Sequence, residues 1–503
     1  MNVVWLKRDL RLADHAPLAE ACVRGDVLVV YVVEPELVAQ AETDPSHVKF
    51  AAESLAELRE GIRRRGGELV IRHGALPDVF EDLHRRRPMT GLFSHEETGN
   101  RLTYARDKRV AAWCKAHAIP WTELPQTGVI RRLRSRDGWA ARWSARMMAR
   151  LVEAPGVIPS VTIPGLEPGA IPDERALGLP ASRKTEAQRG GEQAARATLT
   201  SFFEVRGASY ATALSSPVSG WEGCSRVSPY LAFGNISMRQ ALHASALKRR
   251  RLDRDPSHVA KQWRSSLIAF DARLRWHCHF MQKLEDEPRL EYENLSRAMD
   301  GLREPHVHED RFEAWATGRT GYPMIDACMR ALLATGWVNF RMRAMLMSFA
   351  SYDLWLPWRP TGLHLARHFL DFEAGIHWSQ VQMQSGTTGI NTLRIYSPTK
   401  QLTDHDPKGI FVRRWVPELA PIPDVYLAEP WTMPPLEQRA TGFVVGETYP
   451  APIVDHSRAV AEAKRRIGPT RRSADAREEA ARILVKHGSR KRPPSCKRRG
   501  AAS

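Results

Sequence analysis

The first 126 residues alternate short apolar runs with amphipathic segments. Val3–Leu6 and Val27–Val33 are short runs rich in β-branched residues, as buried strands are, and Glu68–Arg72 and Gly91–Ser94 could supply further strands. Helical spacing of apolar positions fills the intervals, at Pro17–Arg24, Val48–Arg65, Leu76–Arg87 and Thr103–Ala116. Strands separated by helices of this length predict a doubly wound parallel sheet in an α/β domain. We place this Rossmann-like domain at residues 1–127.

The pattern changes twice further along the chain. Residues 128–193 are rich in Arg, Pro, Gly and Ala and have little periodicity, which predicts an irregular interdomain linker. Between residues 194 and 456 the apolar spacing is mostly helical, which predicts an all-helical second domain; Ile325, Met329 and Leu332, for example, fall at i, i+4 and i+7. We expect residues 457–503 to form a basic, disordered tail, apart from a short helix at Asp475–His487.

Composition narrows the class of protein. Hydrophobic residues make up 43% and charged residues 26% of the 503 residues, as in ordinary globular proteins. No apolar window is long enough to span a bilayer, and Lys7 and Arg8 interrupt the N-terminus, so we expect neither a membrane span nor a signal peptide. Six scattered cysteines exclude a disulfide framework, and we expect a cytoplasmic protein.

The formal net charge of +17 points to a polyanionic partner, nucleic acid before a membrane surface. A basic surface that only aids solubility is the alternative. Residues 457–503 hold 15 Lys and Arg against 4 Asp and Glu, so this tail carries most of the excess charge. The tail therefore predicts general, salt-sensitive affinity for DNA rather than a specific site.

Searches for common catalytic motifs give little. No G-x-G-x-x-G follows the first strand, which disfavours a nicotinamide oxidoreductase, and there is no P-loop. His277 and His279 stand at i and i+2, on different faces of a helix, so we expect no metal site there. Ser225, Arg226 and Ser228 directly precede a helical segment. This position predicts either a phosphate-binding site or an ordinary helix N-cap.

Several aromatic and charged residues stand out within the helical region. Trp276 lies among Arg and His residues, a mixture suited to stacking on bases, although a single buried tryptophan is the alternative. Trp358 and Trp378 lie in a segment rich in indoles, for which core packing is the default. Arg343 and Asp371 interrupt otherwise apolar helical patterns. If they are buried they must pair, because an isolated buried charge is very costly.

Together these motifs resemble the photolyase/cryptochrome family. The resemblance is carried, in the family's order and over about residues 1–430, by Trp5–Leu12, Ser225–Gly234, Thr320–Arg330 with Thr335–Trp337, Arg394–Gln401 and Trp415–Leu419. It implies an α/β antenna domain, a long linker and a helical domain that binds FAD. It also implies light-driven electron transfer to a pyrimidine dimer that is flipped out of damaged duplex DNA.

The resemblance assigns roles residue by residue. The implied FAD-binding residues are Tyr210, Ser225, Arg226, Val227, Ser228, Arg343, Asp371, Phe372 and Glu373. The implied DNA-binding residues are Arg273, Trp276, His277, Phe340, Arg341 and Gln401. The implied catalytic residues are Trp358, Trp378 and His377. Among these, Arg343 and Asp371 would form an ion pair beside the flavin ring, and Trp276 would stack on the lesion.

Three departures from the family pattern lie at the implied lesion and flavin positions. Arg273 stands where dimer-repairing members have a glutamate, and Phe340 occupies the slot of an asparagine, with Asn339 displaced by one residue. His377 stands where repair enzymes commonly have an asparagine near flavin N5. An imidazole at this position would alter flavin protonation.

The implied electron-transfer chain and antenna site also depart from the pattern. Trp358 matches the middle tryptophan and Trp378 is the candidate for the proximal one. The exposed terminal position falls at Pro305, so one of three other indoles would have to substitute: Trp315, Trp337 or Trp355. Asn100 fits a folate-binding position but Arg101 replaces the expected glutamate. We therefore do not expect folate and leave the second chromophore unknown.

The leading hypothesis is a deoxyribodipyrimidine photo-lyase, a monomer that uses FAD to split cyclobutane pyrimidine dimers in DNA. The altered positions keep two alternatives open. One is a cryptochrome-type blue-light photoreceptor without repair activity. The other is a (6-4) photoproduct lyase, for which His277, His279 or His377 would supply acid catalysis.

Overall fold

The computed structural model describes residues 1–253, 255–304 and 308–489. Its N-terminal part contains a parallel five-stranded sheet in the order β3-β2-β1-β4-β5. The strands are β1 (Asn2–Leu6), β2 (Val27–Val33), β3 (Leu69–His73), β4 (Gly91–His95) and β5 (Trp121–Leu124). Neighbours Val3 and Val4 are both fully buried, because helices cover both faces of the sheet. The predicted doubly wound sheet is confirmed.

Strand β5 lies outside the predicted strands. It forms the edge of the sheet beside β4, and all four of its residues are only half-buried. Its sequence includes the polar residues Thr122 and Glu123, so it lacks the apolar run that marks the central strands. An edge strand needs no such run, because one side of it has no neighbouring strand to exclude water.

Helices connect the strands, and the longer ones overlap the predicted segments. They are α1 (Ala16–Val23), α2 (Pro35–Val38), α3 (Pro45–Arg63), α4 (Asp78–Arg86) and α5 (Arg101–Ala116). The start of α3 follows from its sequence: Asp44 accepts the Ser46 N–H at 2.9 Å, and Pro45 fits the first helical position.

The turn after β1 is fixed by Asp9, which is fully buried. Its carboxylate accepts the Lys7 N–H at 2.7 Å and lies 2.7 Å from His95 Nδ1 and 3.1 Å from His15 Nε2. The Leu18 N–H donates to His15 Nδ1, which fixes the His15 ring beside Asp9. These hydrogen bonds tie together the carboxyl ends of β1 and β4, where the strand order reverses.

The region predicted as an irregular linker contains a helix. Helix α6 (Trp139–Met148) buries Trp139, Trp143 and Met147, which recur at i, i+4 and i+8. The prediction of irregular structure over residues 128–193 is wrong for this helix, because intervening arginines obscure its apolar stripe. Residues 149–191 show no helix or strand beyond one isolated bridge, between Ser160 and Val27.

The remainder of the described chain is helical. Its helices are α7 (Glu192–Glu204), α8 (Tyr210–Ala213), α9 (Pro217–Gly223), α10 (Ser228–Ala232), α11 (Met238–Leu252), α12 (His258–Asp286), α13 (Glu309–Thr317), α14 (Pro323–Thr335), α15 (Phe340–Ser348), α16 (Trp358–His368), α17 (Ala374–Ser385), α18 (Pro398–His405), α19 (Ile410–Trp415), α20 (Asp424–Leu427), α21 (Pro435–Thr441), α22 (His456–Arg472) and α23 (Ala474–His487). Ile325, Met329 and Leu332 of α14 are all fully buried, as their spacing predicts. Within the described ranges, no helix is both long and apolar enough to cross a membrane.

The prediction of a disordered tail is wrong for residues 457–472, which belong to α22, whereas the predicted short helix at Asp475–His487 is confirmed as α23. Ala463 and Ile467 of α22 are buried against Tyr352 and Trp355. Helix α23 is anchored by Glu479, whose carboxylate accepts the Ser296 hydroxyl and two backbone N–H groups. The many charged residues of this segment lie on the exposed faces, so composition concealed the buried stripe. Residues 490–503 lie outside the described residues.

Candidate functional site

A cavity of about 600 Å³ opens in the helical domain between α10, α12, α15 and α17. The nine residues implied for FAD all line it: Tyr210, Ser225, Arg226, Val227, Ser228, Arg343, Asp371, Phe372 and Glu373. Of the residues implied for DNA, Arg273, Trp276, His277 and Phe340 line the same cavity, whereas Arg341 and Gln401 do not. Gln401 is only 7% exposed. The structure therefore brings most of the predicted site together but does not bring Gln401 to it.

Arg226 lines the cavity and lies between two indoles. Its guanidinium lies 4.0 Å from the ring centroid of Trp221 and 4.2 Å from that of Trp337. Its Nε donates to Gln188, and no described carboxylate forms an ion pair with it. Burial lowers the pKa of Arg226 to about 10, which leaves it cationic at neutral pH. A half-buried cation without a carboxylate partner is suited to an anionic ligand such as a diphosphate.

Arg343 and Asp371 form the ion pair that the sequence predicts. Two hydrogen bonds of 2.8 Å join the guanidinium to both carboxylate oxygens, and Arg343 Nε also donates to the Val338 carbonyl. Burial opposes ionisation of Asp371, but the charge and hydrogen bonds of Arg343 outweigh it and lower the pKa of this carboxyl. The pair is therefore ionised at neutral pH and presents fixed charges to the cavity.

A second ion pair joins α12 to the start of α17. His277 Nε2 lies 2.7 Å from a carboxylate oxygen of Glu373. Burial disfavours the imidazolium, but the Glu373 charge outweighs it and raises the pKa of His277 to about 10. His277 is therefore a cation at neutral pH.

His377 differs from His277 in its protonation. Its Nε2 lies 2.7 Å from the Gly362 carbonyl, so Nε2 carries the proton and donates it. Burial, together with the charges of Arg343 and Arg359, lowers the pKa of His377 to about 3. The ring is therefore neutral at physiological pH, and its Nδ1 is an acceptor.

Behind His377 lie the two tryptophans implied in electron transfer. The rings of Trp358 and Trp378 pack edge-to-face with centroids 5.9 Å apart, and Trp378 lies 4.8 Å from His377. The structure does not supply an exposed third indole from the proposed substitutes. Trp315, Trp337 and Trp355 are 0%, 7% and 5% exposed, respectively. Pro305, at the family's terminal position, lies outside the described residues.

At the mouth of the cavity, an aromatic pair lies beside basic residues. Trp276 stacks on Phe280 with centroids 5.5 Å apart and an interplanar angle of 27°. Arg273 lies over the ring of Phe340, 5.2 Å from its centroid, and Phe340 is 39% exposed. Two of the three residues that depart from the family pattern, Arg273 and Phe340, therefore contact each other.

The sequence interpretation missed several residues of the cavity wall. Lys283, Gln380, Gln384 and His487 are among them. For Lys283 a signal was present, since it follows Trp276 at i+7 on α12 and so shares its face. His487 was assigned to the tail, and nothing in its local sequence indicates that α23 ends at the cavity.

A second cavity, of about 270 Å³, lies between the sheet and the helical domain. Asn100 lines it, but its amide is already used, since Oδ1 accepts the Thr103 N–H and Nδ2 donates to Gln40. Arg101 is directed away, towards the ring of Tyr292. These contacts leave the second chromophore unassigned.

Comparisons with known proteins decide the family. Residues 2–137 match the family model "DNA photolyase", and residues 270–468 match "FAD binding domain of DNA photolyase". A deoxyribodipyrimidine photo-lyase of Thermus thermophilus is 32% identical over 426 residues, which cover 83% of this chain and 92% of that protein. The chain belongs to the photolyase/cryptochrome family. FAD is its cofactor.

Members of the family with different names resemble the chain to a similar degree. A cryptochrome DASH of Gloeobacter violaceus is 29% identical over 481 residues, which cover 90% of this chain and 93% of that protein. The fold matches that of a bacterial class III photolyase from Agrobacterium tumefaciens with a TM-score of 0.81 and 24% identity, over 94% and 98% of the two chains. Photo-lyases and cryptochromes are therefore both represented by name among its relatives.

The cavity residues fit the cofactor. Among the described residues Arg226 has no carboxylate partner, Ser225 and Ser228 flank it in sequence, and the paired charges of Arg343 and Asp371 line the same cavity. A cation together with a polar, aromatic-lined wall suits a dinucleotide that has an anionic diphosphate and a planar ring.

Proposed function

We propose that the protein is a deoxyribodipyrimidine photo-lyase that splits cyclobutane pyrimidine dimers in DNA. The observation that carries the proposal is the continuity of one cavity. Arg226, the Arg343–Asp371 pair and the stacked rings of Trp276 and Phe280 all line this one cavity. A flavin and a base flipped out of a duplex would thus share one enclosure.

The chain's own residues would bind the cofactor, hold its charge and exclude water. When bound, the flavin supplies a single electron on excitation by light. Arg226, Ser225 and Ser228 would bind its phosphates. Arg343 would place a positive charge near the ring, while Asp371 keeps the guanidinium oriented. His377, neutral and protonated on Nε2, would offer Nδ1 as a hydrogen-bond acceptor.

The mouth of the cavity would bind the DNA. Trp276 would stack on a flipped base, and Phe280 supports its ring from the other side. Arg273 and Arg275 are exposed on the same helix and would contact backbone phosphates. Base flipping suits a dimer, because a damaged pair costs less to open than an intact one.

One specific observation favours a second candidate, a blue-light photoreceptor that lacks repair. Arg273 and Phe340 stand where dimer-repairing relatives have a glutamate and an asparagine, and in this chain they contact each other. Neither side chain can accept a hydrogen bond from a pyrimidine N–H. If no other group replaces these two, the cavity would bind FAD without recognising a lesion.

Binding in the dark separates the two candidates. The FAD-bound protein is titrated with duplexes that carry one thymine dimer, one (6-4) product or no lesion. We expect the tightest binding to the dimer, and the variant Trp276→Ala should lose about tenfold or more of that affinity. Tyr104→Ala, which removes an aromatic ring 52% exposed on the N-terminal domain, serves as the control. Equal affinity for all three duplexes would support the photoreceptor instead.

A further inference from the structure

Gln384 has an unusual position in the cavity wall. It lies in the last turn of α17, is only 3% exposed, and lines the cavity. Neither its Oε1 nor its Nε2 has a hydrogen-bond partner in the described structure. A buried amide without partners is costly, so an amide in this state inside a ligand cavity is suited to a ligand that satisfies both atoms.

Lys283 is a second unpartnered polar group of the same cavity. It follows Phe280 and Trp276 on one face of α12, at one and two turns' distance, and is 6% exposed. No described hydrogen-bond acceptor or carboxylate pairs with its ammonium, which lies 5.3 Å from the ring centroid of Phe280. Burial, and then the nearby charge of Arg136, lower its pKa to about 8. A buried ammonium without an acceptor has donors to offer a ligand.

The two positions that read a lesion in dimer-repairing relatives are unavailable for this task. Arg273 carries donors only, and it lies against Phe340, which has no polar atom. Recognition of a pyrimidine edge, which requires both an acceptor and a donor, must therefore come from another part of the wall.

We propose that Gln384 and Lys283 form the site of this protein that recognises a pyrimidine. The Gln384 amide hydrogen-bonds to the N3–H and to one carbonyl of a thymine ring, and the Lys283 ammonium donates to the other carbonyl. The edge of thymine presents an acceptor, a donor and an acceptor in sequence. An amide N–H, an amide oxygen and an ammonium N–H supply the complementary set. This assignment rests on the proposed repair function and supplies the recognition that Arg273 and Phe340 lack.

The test removes the same hydrogen bond from either side, by methylating N3 of the thymine dimer or by replacing the Gln384 amide. Dark binding of the FAD-bound protein is measured with a duplex carrying a thymine dimer and with one whose dimer is methylated at N3, which removes the N–H. Gln384→Met removes the amide at similar volume, and Gln193→Met makes the same change at an exposed position of α7. Flavin absorbance per protein is recorded for every variant.

We expect N3-methylation to weaken binding by the wild type and by Gln193→Met by about tenfold, the value of one good bidentate contact. Gln384→Met should bind the unmethylated dimer about tenfold more weakly than the wild type and be insensitive to methylation, with unchanged flavin content. Lys283→Met should weaken binding of both dimers by the same factor, because its target is a carbonyl rather than N3.

Three results would overturn the assignment, and they are distinguishable. If Gln384→Met keeps both the affinity and the methylation penalty, another group reads the ring. If Gln384→Met loses flavin, and added FAD restores its binding of the dimer, the amide serves the cofactor. If the wild type itself does not distinguish the dimer from intact DNA, the proposed repair function fails and this assignment fails with it.

Discussion

Arg343 and Asp371 meet through two hydrogen bonds of equal length, 2.8 Å, that join each terminal nitrogen of the guanidinium to one carboxylate oxygen. The pair joins α15 to the segment between α16 and α17, and its side chains are 23% and 5% exposed. A bidentate pair of this kind fixes the orientation of both groups. It also sets the position of two opposite charges on the wall that we assign to the flavin.

Asp371→Asn should lower both flavin content and thermal stability. The substitution leaves the Arg343 guanidinium without its counter-charge, and breaking a buried pair on one side costs on the order of 3 kcal/mol. The flavin absorbance per protein and the Tm measure the two effects. Glu153→Gln is the matched control, because it breaks an ion pair with Arg150 in which both side chains are more than 80% exposed (89% and 84%). Unchanged flavin content in Asp371→Asn would separate this pair from cofactor binding.

The His277–Glu373 pair should make stability fall as the pH rises above neutrality. The pKa of His277 is raised from 6.5 to about 10, so folded and unfolded chains both carry the proton below pH 6.5, and the stabilisation is complete there. Between pH 6.5 and about 10 only the folded chain retains the proton, so the contribution is progressively lost. Each unit of pKa shift corresponds to about 1.4 kcal/mol.

The variant His277→Gln should therefore lose less Tm than the wild type over the same pH interval. Comparing the two proteins removes the contribution of other titrating groups, which they share. Parallel Tm curves for wild type and variant would show that the pair does not hold the proton. Glu373→Gln should reproduce the flatter curve, since it removes the charge that raises the pKa of His277.

Trp378→Phe should slow the photoreduction of bound FAD by an external thiol under blue light. The indole of Trp378 lies between His377 and Trp358, and phenylalanine at this position is a much poorer electron donor. Trp113→Phe, in the N-terminal domain, is the control. Dimer repair by chemically reduced protein should be retained in Trp378→Phe, because that reaction does not need the chain. Unaltered photoreduction in the variant would assign electron transfer to other residues.

Removal of residues 490–503 should weaken binding to all DNA while preserving preference for the lesion. This segment carries six Lys and Arg residues and no acidic residue. Counterion release makes such contacts additive and salt-dependent, so the slope of log affinity against log salt should become shallower. A loss of preference for the dimer in the truncated protein would instead place this segment in lesion recognition.

A longer truncation, after Asp455, should lower the Tm, because it removes α22 and α23 as well. Ala463 and Ile467 cover Tyr352 and Trp355, and their loss exposes these large apolar side chains to water. Comparing the two truncated proteins separates the contribution of α22 and α23 to stability from that of the basic residues 490–503. Equal Tm values for the two proteins would contradict the packing described for α22.

The sequence predicted the parts of this fold that rest on local pattern. Apolar runs identified β1 to β4, and the spacing of Ile325, Met329 and Leu332 identified α14. The prediction was wrong where it relied on composition instead of on the spacing of apolar residues. Helix α22 is rich in arginine, yet Ala463 and Ile467, four residues apart, already form the buried stripe that packs on Trp355.

The candidate site likewise contains residues that the sequence indicated and residues that it did not. Motif resemblance placed Arg226, Arg343 and Asp371 on one cavity, because short segments carry these residues. It could not place Gln384 or His487, because no local motif marks either residue. What singles them out is buried polar atoms that have no hydrogen-bond partner among the described residues, and long-range packing decides this. Hydrogen-bond partners are decided by the tertiary fold, and a sequence does not show them.

The most direct test of the proposed function is repair in a single turnover. Reduced, FAD-bound protein is mixed with a duplex that carries one defined thymine dimer, illuminated with blue light, and assayed for restored thymines against a dark control. The proposal predicts restoration in the light, none in the dark, and a strongly reduced yield in Trp276→Ala. Intact dimers after illumination, in protein whose flavin is bound and reduced, would contradict it.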